Sequence, residues 1–261
     1  MRFNDNMNIT LPPQTSHTRN LSVQKSNTPS FTSNFMRIGT GQRPHFTYFF
    51  RGDLEWRSFA KYLHRHFANA DKVNVYNAAC SDGTEPFTLV MSLISKLGQK
   101  KAQKFFPIEA FDLNKYLVND AKTGQIPLLP DPYTVVDIFK LKIKNLFLEH
   151  RFLSYKKVRK IGDVVQMKDE TRKHVNFDVG NVLSKVDEMK GENSVVMTRN
   201  MWMYLDEFEQ ELLAHKLGQQ LKKDSVVVLG KYDIQNSNAV KLLSKNGFEE
   251  TYIDNVFEKM K

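Results

Sequence analysis

The sequence predicts an α/β domain built on an open, doubly wound, mostly parallel sheet. Three observations lead there. A short alternating segment, residues 72–78 (KVNVYNA), runs into a small polar turn at 79–84 and then into a helical apolar pattern at 87–97 (FTLVMSLISKL). A second strand-like run, residues 107–111, ends on Asp112 and leads to a further helical stretch, 115–122. Two valine-rich runs follow, 194–198 (SVVMT), a candidate buried strand, and 225–229 (SVVVL). Strand, tight turn, helix, strand, carboxylate is the layout of a nucleotide-type site at the carboxyl edge of a parallel sheet.

The remaining elements follow in chain order. Residues 1–44 are rich in Asn, Ser, Thr, Gln and Pro, with no regular apolar spacing. They cannot bury enough surface to offset the entropy of ordering, so a disordered tail is expected, with the folded domain at 45–261. Leu54, Phe59, Tyr62, Leu63 and Phe67 suit one face of an amphipathic helix over 54–67. Pro86 is well placed in the first turn of the helix after the polar loop. Residues 124–174 differ in texture, first punctuated by proline, then charged and alternating (SYKKVRKI, DVVQMK). A small antiparallel β insertion is expected there. Residues 208–221 and 240–245 read as helices, and Asn246-Gly247 ends the latter.

Composition narrows the function classes. A chain of 261 residues suits one large α/β domain, or one domain with a small appendage, and 41% hydrophobic residues are enough for a core. The single cysteine, Cys80, excludes an intrachain disulfide framework and points to a reducing compartment. No apolar run reaches the roughly 18 residues of a membrane span, and the N-terminus lacks an apolar signal region, so a cytoplasmic location is expected. Lys and Arg total 38 against 29 Asp and Glu, a net charge of +9. That excess favours an acidic partner: nucleic acid, an anionic membrane surface or an acidic protein. Nothing resembles a zinc finger, a helix-turn-helix or an RNA-binding aromatic pair, and no metal site is expected.

The residues of the two strand ends leave alternatives open. The turn at 79–84 carries one glycine where a dinucleotide fingerprint carries three, so a pyrophosphate ligand is poorly supported. One glycine among small residues still admits a ligand close to the backbone. Glu85 reads either as a charge favoured by the helix dipole or as a ligand contact. Asp112 reads either as a binder of ribose hydroxyls or as the N-cap of the next helix. Cys80 has no His partner nearby and reads as a small buried residue.

Taken together, four blocks resemble the chemotaxis receptor methyltransferases of the CheR type, which methylate protein glutamates with S-adenosylmethionine. The first is Thr47-Tyr48-Phe49-Phe50-Arg51, similar to T-x-F-F-R. The second is Ala79-Cys80-Ser81-Asp82-Gly83-Thr84-Glu85-Pro86-Phe87-Thr88-Leu89, similar to A-x-S-T-G-E-E-P-Y-S-L. The third is Ala110-Phe111-Asp112-Leu113, with Ala121 and Gly124 beyond it. The fourth is Asn181-Val182-Leu183 followed by Thr198-Arg199-Asn200-Met201-Trp202-Met203-Tyr204-Leu205-Asp206, similar to N-L-L and C-R-N-V-x-I-Y-F. Their order and spacing hold across residues 46–250.

The resemblance implies a Rossmann-like class I methyltransferase with S-adenosylhomocysteine as product. It implies donor contacts at Thr47, Arg51, Glu85, Asp112, Asn181, Val182, Arg199 and Asn200, with Arg51 and Tyr204 flanking the transferring methyl. It also makes the insertion at 124–174 the part that docks an acidic protein substrate such as a chemoreceptor; a monomer without nucleic-acid binding is expected. Departures touch the substrate more than the donor site. His45 replaces an Asn, Asp82 replaces a Thr, Thr84 replaces one acid, and the tail stands where a basic helical domain is customary. Left to themselves, Arg51 reads as a surface ion pair and Tyr204 as a packed core tyrosine. Glutamate is ionised at neutral pH, its reference pKa being ~4.3, so methyl transfer to it needs alignment and exclusion of water but no general base. Three other readings remain: a same-fold enzyme with another acceptor, a donor-binding module without turnover, and a nucleic-acid methyltransferase. Asn200-Met201-Trp202-Met203 lacks the prolines of the base-methylating motif and places the last of these behind the others.

Overall fold

A computed structural model describes residues 47–127, 151–158 and 162–261. Its centre is a seven-stranded sheet. The strands are β1 (Asn74–Ala78), β2 (Ile108–Asp112), β6 (Val175–Val179), β7 (Ser194–Met197), β8 (Val226–Val228), β9 (Phe248–Glu250) and β10 (Val256–Lys259). Their order across the sheet is β6-β2-β1-β7-β8-β10-β9. All pairings are parallel except those of β10, which runs antiparallel to both β8 and β9. The chain leaves β1 toward β2 and β6 on one side and later returns to fill β7 and β8 on the other. That reversal makes the carboxyl ends of β1 and β7 the place where a crevice opens.

Alternation along the strands divides the core in two. Val75, Val195, Met197, Val226 and Val228 join one apolar cluster, whereas Ala78, Val196 and Val227 join the other. Successive side chains of a strand face opposite ways, so both sheet faces need helices. On the first face lie α1 (Trp56–His66) and α2 (Thr84–Leu97), which bury Phe59, Leu63, Phe87 and Leu89. On the second lie α4 (Val182–Glu188), α5 (Glu207–Gln220) and α7 (Ala239–Lys245), with Val186, Leu213, Leu217 and Leu243. Two further helices, α3 (Lys115–Thr123) and α6 (Lys231–Asn236), follow β2 and β8. Helix α1 begins where the Glu55 carboxylate accepts from the backbone N–H groups of Arg57 and Ser58, at 3.4 and 2.7 Å. Those groups have no partner inside the helix.

A second, three-stranded antiparallel sheet has the order β3-β5-β4, with β3 Gln125–Pro127, β4 Leu153–Val158 and β5 Gly162–Met167. It falls within the stretch where a small antiparallel insertion is expected. Met167 N–H donates to Gly124 O at 2.8 Å, which ties the sheet to the end of α3, and Lys168 N–H donates to Phe152 O at 2.9 Å beside the β4–β5 pair. The expected tail at 1–44 and the centre of the expected insertion lie outside the described residues.

The expected α/β class, doubly wound and mostly parallel, is the fold observed. Strand β6 is not evident from sequence because it is an edge: Val175 is buried, but Asn176, Asp178 and Val179 are exposed, and no alternation stands out. Strand β9, the other edge, is missed for the same reason, and β10, though paired on both sides, is short; the two carry Glu249, Glu250 and Glu258. Among the described residues no helix is long and apolar enough to cross a membrane.

Candidate functional site

The turn from β1 to α2 is shaped by backbone conformation. Ala79, Ser81 and Gly83 have φ of 54°, 52° and 86°. A left-handed residue other than glycine costs on the order of 1–2 kcal/mol, and such strain concentrates where a ligand or a mechanism requires it. Gly83 is obligatory, because a Cβ there would lie 3.0 Å from both Ala121 Cβ and Phe177 Cζ. Cys80 N–H donates to Phe111 O at 3.1 Å, pinning the turn to the end of β2. The Cys80 side chain is buried, and burial pushes its thiol well above the ordinary range, as a structural cysteine requires.

Asp112 closes β2 beside this turn. Its Oδ2 accepts from Ser81 N–H at 2.9 Å and its Oδ1 from Asn114 N–H at 2.8 Å. Burial raises its pKa, while those two hydrogen bonds oppose the rise. Of its two sequence readings the capping one is set aside. Asn114 caps α3, its Oδ1 accepting from Tyr116 and Leu117 N–H at 3.0 and 3.4 Å. A carboxylate with two bonds retains lone pairs for a further donor.

Glu85 is engaged by side chains. Its Oε1 accepts from Asn77 Nδ2 at 2.8 Å and its Oε2 from Arg199 at 2.5 Å. The Arg199 side chain has no exposure; it also pairs with Asp53 and lies 5.0 Å from the Trp56 ring centroid. Asp53 accepts in turn from Lys231 N–H at 3.1 Å. A buried cation thus joins the segment just after the first block (Asp53), the head of α2 (Glu85) and the end of β7. Removing both acids would leave it uncompensated.

Asn200 follows with φ of 57°, its N–H donating to Asp233. The Asp233 carboxylate, with no exposure, also accepts from Trp202 and Gly230 N–H at 2.9 and 2.8 Å. Burial pushes its pKa up to about 6 against those bonds. Asn181 caps α4, its Oδ1 accepting from Leu183 N–H at 2.9 Å, and Val182 behind it is buried. Gly180 N–H donates to Asp112 O at 3.0 Å, which sets this cap against the end of β2.

Arg51 and Tyr204 lie beside this edge, near enough for the Arg51 charge to act on the phenol. Arg51 Nε lies 3.8 Å from Asp53 Oδ1, and its guanidinium lies 5.7 and 5.5 Å from the ring centroids of Tyr48 and Tyr232. Tyr204 is 38% exposed, so it is not a core tyrosine. Burial raises its phenol pKa, and the nearby Arg51 charge opposes that rise. Thr47 is half-buried and has no hydrogen bond to the other site residues among those described.

The fold therefore gathers Glu85, Asp112, Asn181, Val182, Arg199 and Asn200 at the carboxyl ends of β1, β2, β6 and β7, with Arg51 and Tyr204 beside them. It adds Asp53, Asn77, Tyr232 and Asp233, which the motifs do not flag. Asn77 alone carries a signal, as an amide inside a strand. Three buried polar atoms here lack a partner among the described residues: Asn77 Oδ1, Arg199 Nε and Asn200 Oδ1. An unpaired buried polar group costs ~1–3 kcal/mol, so the edge is suited to a polar ligand bearing donors and acceptors.

Residues 45–247 match the family described as CheR methyltransferase, SAM binding domain. The chain belongs to the CheR methyltransferase family. It is 26% identical over 160 residues to a chemotaxis protein methyltransferase of Borreliella burgdorferi, covering 61% of this chain and 51% of that protein. It is 24% identical over 204 residues to one of Salmonella typhimurium, covering 77% and 64%. The chain thus matches between half and two thirds of the length of these relatives. A TehB-like SAM-dependent methyltransferase of Corynebacterium glutamicum resembles it more loosely, at 13% identity and a TM-score of 0.40, over 78% of this chain and 94% of that one. S-adenosylmethionine is the ligand of the matched domain. The partnerless polar atoms fit it, since its ribose and amino acid part carry hydroxyl, ammonium and carboxylate groups.

Proposed function

We propose that the chain is a protein-glutamate O-methyltransferase that takes its methyl group from S-adenosylmethionine and acts on an acidic protein of the chemoreceptor kind. The observation that supports this reading is the placement of Arg51 and Tyr204 beside the donor edge, near enough for the Arg51 charge to act on the phenol. Bound S-adenosylmethionine supplies a methyl group already activated by its sulfonium. The protein has then to place a carboxylate in line and keep water out, and orientation of that kind is worth ~7–11 kcal/mol in favourable systems.

Asp112 offers its remaining lone pairs to the ribose hydroxyls, and Glu85 offers negative charge to the ammonium of the amino acid part. Asn181, Val182 and Asn200 border the rest, with Thr47 closing over from the first block. Arg51 presents a fork that matches two carboxylate oxygens. Tyr204 presents a hydroxyl beside it that stays protonated at neutral pH and can donate to an acceptor oxygen. The excess of positive charge favours an acidic partner over most others. The small antiparallel sheet, with β3 and β4 as its edges, is the surface we assign to that partner.

The test is transfer of tritiated methyl from S-adenosylmethionine to the signalling domain of a chemoreceptor. A glutamyl methyl ester releases its label as volatile methanol in mild alkali. Label in a base-stable linkage would point to another acceptor. Tight binding of S-adenosylhomocysteine without any transfer would point to a donor-binding module.

A further inference from the structure

Tyr232 is a large aromatic residue at the second position of α6, and it is 49% exposed. Core packing does not account for it. Its ring centroid lies 5.5 Å from the Arg51 guanidinium, within the distance at which a cation is attracted to an aromatic face. Tyr48, from Arg51's own segment, lies at 5.7 Å. Arg51 is thus contacted by one ring close in sequence and by a second that only the fold can bring.

The mount of that second ring is rigid. On one side Lys231 N–H donates to Asp53 Oδ2 at 3.1 Å. On the other, the Asp233 carboxylate accepts from the N–H groups of Gly230, Asn200 and Trp202. Asp53 belongs to the Arg51 segment, and Trp202 opens the turn that carries Tyr204. The two carboxylates therefore fix Tyr232 relative to both Arg51 and Tyr204. A third tie, Trp56 Nε1–H to Arg51 O at 3.0 Å, holds the Arg51 backbone and leaves the head to be set by its rings and by Asp53.

An arginine head that must be ordered anew for each acceptor loses rotamer freedom on binding, whereas one already ordered does not. We infer that Tyr232 is a positioning residue, whose ring holds the Arg51 guanidinium in the orientation that receives the acceptor carboxylate. This rests on the proposal above that Arg51 meets the acceptor.

The test compares the full chain with Tyr232→Ala and Tyr232→Phe in three measurements. These are S-adenosylhomocysteine affinity, kcat and KM for methyl transfer to a chemoreceptor signalling domain, and binding of that domain to the S-adenosylhomocysteine-loaded protein. A cation–π contact of this kind corresponds to about 3- to 30-fold. Tyr232→Ala is expected to lower kcat/KM and acceptor binding by that factor, with S-adenosylhomocysteine affinity within twofold. Tyr232→Phe, which keeps the ring, is expected to recover most of the loss. An alanine variant as active as the parent overturns the inference, as does a phenylalanine variant as impaired as alanine, or a parallel loss of S-adenosylhomocysteine affinity. If the parent binds S-adenosylhomocysteine but neither methylates nor binds the acceptor, the proposed function fails and the inference falls with it. In the other outcomes the proposed function stands.

Discussion

Asp233 allows a stability measurement to test the architecture of the site without any substrate. Its carboxyl is raised from an ordinary 3.8 to about 6 by burial. A group raised in the folded state contributes stability that is fully present below 3.8 and is lost as pH climbs through 6. With those two values, the linkage term at pH 4.5 is about 2 kcal/mol larger than at pH 7.5. Asp233→Asn has no such term. It should also leave a backbone N–H short of an acceptor, because one amide oxygen replaces two carboxylate oxygens that serve Gly230, Asn200 and Trp202. That deficit, ~1–3 kcal/mol, does not depend on pH. The parent's advantage over the variant is therefore largest in acid and shrinks by about 2 kcal/mol on going to pH 7.5. Urea unfolding at both pH values reads it directly. With a slope of about 2–3 kcal/mol/M, the gap between the two midpoints should close by roughly 0.7–1 M. All other titrating groups are common to the two proteins and cancel in the difference. A gap that stays constant, or widens toward neutral pH, would show that Asp233 titrates like a solvated aspartate and does not hold the Asn200–Trp202 turn.

Asp112→Ala removes a charged acceptor from the donor edge and should weaken S-adenosylhomocysteine binding by about tenfold or more in calorimetry; unchanged affinity in a folded variant would move the ribose site elsewhere. Tyr204→Phe deletes one hydroxyl and should lower single-turnover methyl transfer by about a hundredfold while donor affinity changes little; a parent-like rate would make Tyr204 a packing residue. Gly230→Ala would place a Cβ 2.4–2.5 Å from the Asn200 side-chain amide, a movable group, while Gly230 has an ordinary φ of −92°. It should turn the Asn200 side chain away, lowering S-adenosylhomocysteine affinity by about 2- to 13-fold per lost hydrogen bond with little change in Tm. Equal affinity would remove the Asn200 side chain from the donor contacts.

What was legible in the sequence followed local rules. Segments 72–78, 107–111, 194–198 and 225–229 read as strands, and each covers all or nearly all of a strand of the parallel core. Strands β7 and β8 are buried and apolar almost throughout, whereas β1 keeps the alternation of residues 72–78 and β2 carries an exposed Glu109 and closes on Asp112. The loop at 79–84 read as a turn because small polar residues sit between two apolar periods, and the pairing of Cys80 with Phe111 gives it that shape. Element ends were less exact. The helix after the loop begins at Thr84, three residues before its apolar pattern, since Asp82 accepts from Thr84 N–H at 3.1 Å and starts the turn early. Edge strands β6 and β9 were not legible, because a strand paired on one side only and half in solvent needs no apolar run; β10, paired on both sides, is four residues long and Glu258 interrupts its apolar run.

The site divides along the same line. The residues we propose to face the ligand fall within the motifs, because their chemistry is tied to a strand end and so to a fixed place in the chain. Residues that hold those residues did not. Asp53 and Asp233 act on partners 146 and 31 residues away, Arg199 and Trp202. Nothing in a local window distinguishes either from a solvated aspartate in a loop. Glu85 shows the ambiguity from the other side. Its place in the first turn of a helix invites a dipole argument, yet its two oxygens are taken by Asn77, from the strand before it, and Arg199, from the strand end beside it. Both partners are themselves left one polar atom short. A carboxylate serving only the helix dipole would not need a fully buried arginine against it, and that arginine would not be left with an unpaired Nε. A polar ligand at the edge would satisfy those atoms, and this supports the donor contact we propose for Glu85 over the dipole reading.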